Sequence, residues 1–283
     1  MKQYYPNTCY IFNQFLINHL SMTKISLDYL RSSILDLITS WTSSVVFYTI
    51  IPLPFRWTNN WSRIARWCPV AGLFIGLLLA LVDFLLGLGG IPDLTNKALV
   101  VAVWVAITGG LHLDGAMDAA DGLSVTDSDR RLDVMKDSAT GAFGAIAAII
   151  IILLKTVALY DLSLPLWLVL ISAAGWARCG QVWAIAFYPY LRATGKGSFH
   201  KENLRLPQDV LLGLSLLLIC SGLWLRVSDL SWLQIGILTT GNIAIALLTG
   251  YWFARQLGGH TGDTYGAVVE WSEALILCWL TIF

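Results

Sequence analysis

Charge is scarce in this 283-residue chain: 13% of its residues are Asp, Glu, Lys or Arg, and 18 basic side chains are cancelled by 18 acidic ones. A formal net charge of zero leaves no overall field for nucleic acid and no polybasic block for a membrane surface. Cysteine is also sparse. Cys9, Cys68, Cys179, Cys220 and Cys278 form no C-x-x-C pair and no metal-ligand spacing, which argues against both a disulfide framework and a zinc site. Low-complexity tracts, internal repeats and dividing linkers are missing, and the apolar runs lack the period-2 alternation of barrel strands.

Apolar residues are abundant instead, at 57% of the chain with a mean hydropathy of +0.68. That composition belongs to an integral membrane protein. A spanning helix needs roughly 20 apolar residues, and runs of about that length fall near 34–53, 68–88, 97–113, 142–160, 165–190, 209–227, 231–254 and 271–283. Backbone groups in lipid must be satisfied within the segment, so the expected fold is an all-α polytopic bundle with about seven spanning helices. Residues 1–33 read as an N-terminal extension, dispensable for activity and without the pattern of a secretory signal; Met22 offers a second start. Residues 34–283 read as one membrane-embedded domain.

Basic residues set the expected orientation. Arg56, Arg63 and Arg66, then Arg130, Arg131 and Lys136, then Arg192, Lys196, Lys201 and Arg205, and finally Arg255 fall in loops of one side. By the positive-inside rule these loops face the cytoplasm, while GGIPD, DLSLP and RVSDLS face away. The run 34–53 does not fit this alternation if it spans, so an interfacial or re-entrant course is open for it.

The stretch TGGLHLDGAMDAADGLSVTDSDRRLDVMKDSATG, residues 108–141, gathers carboxylates at the end of an apolar run. If the helix of that run continues past Leu113, Asp114, Asp118 and Asp121 lie within about 60° of one another. Three carboxylates on one stripe repel unless a cation sits among them, and hard oxygen donors suit Mg²⁺ or Mn²⁺. Asp133 and Asp137 form a second i, i+4 pair beside Lys136, whose ammonium suits a phosphate. Asp127 and Asp129 read as solvated loop acids. His112 would point away from the stripe, towards packing or a hydrogen bond. Arg178 lies inside an apolar run among small residues, where it calls for a phosphate or a buried carboxylate, or ties helices together. Asp263 and Glu270 share a face if helical, fit for supporting or nucleotide contacts, although Asp263 or Thr261 could cap a helix. Arg192, Lys196 and His200, with Gly195 and Gly197, form a basic glycine loop able to receive a phosphate.

The segments TGGLHLDGAMDAADGL, RRLDVMKDSATGAFGAIA and LGGHTGDTYGAVVEWSE, with RWCPVAGLFIGLLLAL at 66–81 and ARCG…PYLRATGKG at 177–197, closely resemble the cobalamin synthase family. The resemblance covers about residues 40–283. It implies an adenosylcobinamide-GDP ribazoletransferase of the cytoplasmic (inner) membrane with active-site loops facing the cytoplasm. There a ribose hydroxyl of α-ribazole, or of its 5′-phosphate, attacks the cobinamide-linked phosphorus and GMP leaves, with Mg²⁺ as cofactor. Under that reading Asp114, Asp118, Asp121 and Asp133 hold the metal, Asp137 takes the hydroxyl proton and Lys136 binds phosphate. His112, Arg178, Arg192, Asp263 and Glu270 then contact substrate. The partners expected are these substrates and the bilayer, with no nucleic acid, and a homo-oligomer is compatible with the sequence. Asp118-x-x-Asp121-Gly122 with Asp133-x-x-x-Asp137 also partly resembles the CDP-alcohol phosphotransferase motif, without its alanine-arginine pair and middle glycine. A prenyltransferase is the other enzymatic alternative. An ion-coupled transporter would instead place its carboxylates near the bilayer midplane.

Overall fold

A computed structural model describes residues 31–283 apart from Ser138, Thr194 and the side chain of Lys196; the expected extension 1–33 lies almost wholly outside them. Among the described residues the elements are α1 (31–48), α2 (Cys68–Leu88), α3 (Asp93–Ile107), α4 (Leu111–Ser124), α5 (Arg131–Val134), α6 (Ala142–Asp161) and α7 (Leu166–Phe187), then α8 (Lys196–Asn203), α9 (Gln208–Gly222), α10 (Trp224–Val227), α11 (Trp232–Leu257) and α12 (Gly262–Leu280). Their boundaries follow local chemistry. Pro92 and Pro165 stand immediately before α3 and α7, where a missing N–H costs nothing. Ser231 and Gln234 form a capping box on α11, and Gly258, at φ +83°, ends it.

α7 is the hub, with 94% of its most apolar stretch buried, against 28% for the helix entering α2 and 22% for α9 with α10. Its Ala173, Ala174, Gly175, Ala177 and Gly180 leave no bulk between backbones, and α2 matches them with Gly76, where a Cβ would lie 2.5 Å from Ile171 Cα. Small residues on both helices let them close together without a hydrophobic drive, as lipid requires. Among the described residues five helices are long and apolar enough to cross a membrane, and six if α3 and α4 count as one bent span. The protein is therefore an all-α multi-pass membrane protein. The last run expected from the sequence, 271–283, corresponds to α12, which starts at Gly262 and not near 271, is buried along most of its length, and carries Asp263, Glu270 and Glu273 against α4, α6, α7 and α11.

The run 97–113 does not make one straight helix. α3 stops at Ile107, and Gly109 (φ +62°) and Gly110 (φ +69°) take two successive left-handed conformations that a side chain would resist. The chain turns by 89° and restarts as α4, so the aspartates ride on a separate helix.

The basic loops converge at the same end of the bundle. Arg63 pairs with Asp209 at the start of α9, Arg131 Nη1 donates to Gln256 O at 3.1 Å, and Arg192 Nη2 donates to Met135 O at 3.3 Å. The charge-poor connections DLSLP and RVSDLS meet at the other end, where Leu164, Ser228 and the terminal Phe283 line one cavity.

Candidate active site

Two close crossings fix α12 against α4. A Cβ on Gly115 would lie 2.5 Å from Asp263 O, and one on Gly266 would lie 3.0 Å from His112 Cα. Each glycine thus admits the other helix's backbone. Thr261 caps α12 by accepting from Thr264 N at 3.3 Å while Thr264 Oγ1 accepts from Thr261 N at 2.8 Å, which leaves Asp263 in the first turn facing α4. The segment before α12 pairs with the chain after α7: Leu191 N donates to His260 O at 2.8 Å and His260 N to Pro189 O at 2.9 Å. This short ladder carries Arg192 to Asp263, where Nη2 stands 2.7 Å from Oδ2.

Asp114, Asp118 and Asp263 gather here. Asp118, half-buried, feels Asp114, Asp263 and Asp121 as like charges and Arg192 as the opposing cation. Asp114 and Asp263 line a cavity of about 280 Å³ together with Arg192, His112, Gln181 and His200. Tyr48 from α1, Tyr190 and Tyr265 supply aromatic walls. Charge is graded along this cavity. Asp114 is exposed and the Arg192 and Asp263 side chains are 21% and 22% exposed, whereas His112, Gln181, His200 and Tyr265 are buried. Both ring nitrogens of His112 and His200, Gln181 Oε1, Tyr265 OH and Arg192 Nε have no hydrogen-bond partner among the described residues. Burial pushes His200 down to about 4, so its ring is neutral at pH 7.

The remaining candidates fall elsewhere. Asp121 sends Oδ2 to Gly141 N at 2.7 Å and Oδ1 to Gly144 N at 2.8 Å, so both carboxylate oxygens are engaged at the N-terminus of α6. A charge facing unpaired helix N–H groups needs no metal. Asp133 and Lys136 pair with each other at 2.9 Å on an exposed turn, which pulls the Asp133 carboxyl below its usual range. Asp137 Oδ1 accepts from Ala139 N at 3.0 Å, and neither Asp137 nor Lys136 lines the cavity. Their chain neighbour Met135 accepts from Arg192 through its carbonyl.

Arg178 and Glu270 belong to a buried ionic cluster. Arg178 Nη1 lies 2.6 Å from Glu273 Oε1, and Lys155 Nζ lies 2.6 Å from Glu270 Oε2 while also pairing with Glu273. Two cations and two carboxylates balance, so α6, α7 and α12 are tied without net buried charge. Arg178 therefore has the carboxylate partner and acts between helices; Glu270 faces Lys155. No motif marks Lys155 or Glu273 in the sequence, where the one signal is a lone lysine within AIIIILLKTVALY. Gln181 was hidden as one polar residue in an apolar helix.

Among the described residues no group of three or more His, Cys, Asp or Glu side chains is close enough to form a finished metal cage. Mg²⁺ commonly takes only one or two protein carboxylates and completes its shell with water and phosphate. The set Asp114, Asp118 and Asp263, with one arginine against three acids, fits such a hard cation by its donors. Asp121 and Asp133, occupied by N–H groups and Lys136, do not.

The fold and site define a polytopic helical membrane protein with an acidic, arginine-bearing pocket at the basic end of its bundle. The chain belongs to the cobalamin-5-phosphate synthase family, whose model matches residues 40–281. It is 57% identical over 241 residues to the adenosylcobinamide-GDP ribazoletransferase of Trichormus variabilis, covering 85% of this chain and 95% of that one. The enzyme of the same name from Synechocystis sp. is 49% identical over 85% of this chain and 93% of its own, and one from Prochlorococcus marinus is 36% identical over 86% and 93%. No solved structure matches the chain.

Proposed function

We propose that this protein joins adenosylcobinamide-GDP to α-ribazole or its 5′-phosphate, releasing GMP and giving adenosylcobalamin or its 5′-phosphate, at the pocket between α4 and α12. The observation that carries the assignment is the meeting of Asp114, Asp263 and Arg192 at the mouth of a cavity lined by uncharged polar groups, with Asp118 within electrostatic reach of all three. A phosphorus centre needs charge neutralisation at its non-bridging oxygens and an acceptor for the nucleophile's proton. Asp118 and Asp263 would hold Mg²⁺, which when bound neutralises diphosphate charge, and Asp114 stays free of it.

Arg192 is the phosphate ligand in this proposal. Its Nε has no partner, and its Nη2 is shared between Asp263 and Met135 O, so the guanidinium is held in position with a donor to spare. The ribose hydroxyl forms a new bond to the cobinamide-linked phosphorus, and the bridging P–O bond breaks with its electron pair departing on GMP. The hydroxyl proton passes to a carboxylate at the mouth, Asp114, which is exposed and lines the cavity. Asp137 and Lys136, outside the cavity lining but beside the Met135 carbonyl that Arg192 holds, serve substrate entry and not the displacement.

We also propose that the basic end, with Arg63, Arg131 and Arg192, faces the cytoplasm in the inner membrane, in keeping with the positive-inside rule. The direct test is incubation of purified protein with adenosylcobinamide-GDP, α-ribazole and Mg²⁺. GMP and a cobalamin in equal amounts support the proposal; intact adenosylcobinamide-GDP, or hydrolysis without a joined corrinoid, rejects it.

A further inference from the structure

The inner end of the cavity raises a separate question. His112, Gln181, His200 and Tyr265 come from α4, α7, α8 and α12, are 2%, 5%, 6% and 2% exposed, and leave six polar atoms unpartnered around one space. Buried polar groups are ordinarily satisfied, so six together mark a surface complementary to a hydrogen-bonding ligand. None of the four is an acid or a cationic lysine or arginine, which distinguishes this end from the mouth.

At about 280 Å³ the cavity is small even for a drug-sized ligand, for which roughly 300–1,000 Å³ is usual. A corrin macrocycle cannot enter it; one nucleoside can. Of the three nucleosides in the proposed reaction, the deoxyadenosyl group is bonded to the corrin's cobalt and stays with the macrocycle, while the benzimidazole of α-ribazole offers a carbocyclic edge without donors or acceptors and would leave the inner groups unpaired, a poor exchange for their lost hydration. Guanine carries N–H donors at N1 and N2 and acceptors at O6 and N7. The walls suit a flat ring, with Tyr48 stacked on His200 at 6.2 Å and Tyr190 on Tyr265 at 6.0 Å.

We infer that the inner cavity binds the guanosine of the leaving nucleotide, with guanine against Gln181, His200, His112 and Tyr265 and its phosphate turned outward to Arg192. The corrinoid and α-ribazole then approach from the mouth. This assignment rests on the transferase reading for the identity of the nucleotide, and it adds the place and orientation of one substrate half.

The test uses the full-length detergent-solubilised chain, with GMP and AMP as probes in calorimetric titration and the KM of each substrate measured in turnover. Wild type should bind GMP at least tenfold more tightly than AMP. Gln181→Leu and Tyr265→Phe, the second removing only a hydroxyl, should each weaken GMP at least fivefold and raise the KM for adenosylcobinamide-GDP while leaving that for α-ribazole unchanged. If Gln181→Leu fails to fold by thermal melting, Tyr265→Phe and His200→Gln carry the test. Equal GMP and AMP affinity in wild type, unaltered GMP affinity in the folded variants, or a rise confined to the α-ribazole KM overturns the inference. A wild type that discriminates GMP from AMP and forms no cobalamin would reject the transferase reading and leave the guanosine pocket standing. Turnover with variants of undiminished GMP affinity would do the reverse.

Discussion

Arg192 and Asp263, 71 positions apart in sequence, meet at 2.7 Å because the pairing of Leu191 with His260 lays one segment beside the other. Neither lies in the aspartate-rich stretch, yet they complete its chemistry. Arg192→Lys keeps a positive charge and removes the planar fork, so phosphate binding should weaken and the KM for adenosylcobinamide-GDP should rise about tenfold, with a smaller fall in kcat. Steady-state GMP release with each substrate varied in turn measures this. An unchanged KM would remove Arg192 from phosphate recognition.

Asp121 should behave as a structural residue. Asp121→Ala leaves Gly141 N and Gly144 N without their acceptor, a loss of about 1–2 kcal/mol by the usual worth of a helix cap, and should lower the melting temperature by several degrees. Asp121→Asn, which can still accept one hydrogen bond, should retain more than a third of wild-type turnover. Turnover abolished in a normally melting Asp121→Asn would return this residue to the metal set.

The Lys155, Arg178, Glu270 and Glu273 cluster predicts non-additive stability. Lys155→Met strands the buried Glu270 carboxylate, leaves Glu273 with Arg178 alone, and should cost about 3–5 kcal/mol, or on the order of 10 °C in melting temperature. Adding Glu270→Gln should recover part of that loss, because the stranded charge is removed. Thermal melts of the two single variants and the double variant give the coupling directly.

His200 sets a pH dependence. Its folded value of about 4 lies below the ordinary histidine value of 6.5, so the unfolded chain binds the proton first. Stability from this group is full above pH 6.5 and is lost as pH falls towards 4, by about 3 kcal/mol across that window. His200→Gln should therefore show a shallower decline of melting temperature between pH 7 and pH 4.5 than wild type. Parallel curves would mean that the ring is solvated and not buried in the cavity wall.

Much of this architecture was legible in the sequence because membrane helices must announce themselves by length and apolarity. Most of the apolar runs correspond to observed helices, and the basic loops gather at one end of the bundle. The bend at Gly109 and Gly110 was not read, since hydropathy continues smoothly through 97–113 while the backbone turns by 89°. The stripe Asp114, Asp118 and Asp121 obeyed helical spacing, yet spacing says nothing about partners: Asp121 meets an α6 terminus 20 residues away, and Asp263 takes the position beside Asp114 and Asp118. α12 begins before the apolar run at 271–283 because Asp263 and Glu270 depress hydropathy in the turns that follow the Thr261 cap. Gln181 and His200 gain meaning only from the cavity formed by tertiary packing.

The most direct measurement of the central claim is GMP release by Asp118→Asn and Asp133→Asn, assayed beside wild type with adenosylcobinamide-GDP, α-ribazole and saturating Mg²⁺, after equal insertion and melting have been established. The pocket between α4 and α12 predicts a loss on the order of a hundredfold for Asp118→Asn, as expected when a group stabilising charge at the reacting phosphate is removed, and less than a threefold change for Asp133→Asn on its exposed turn. Near-wild-type release by Asp118→Asn, or an equal collapse in Asp133→Asn, would contradict the site.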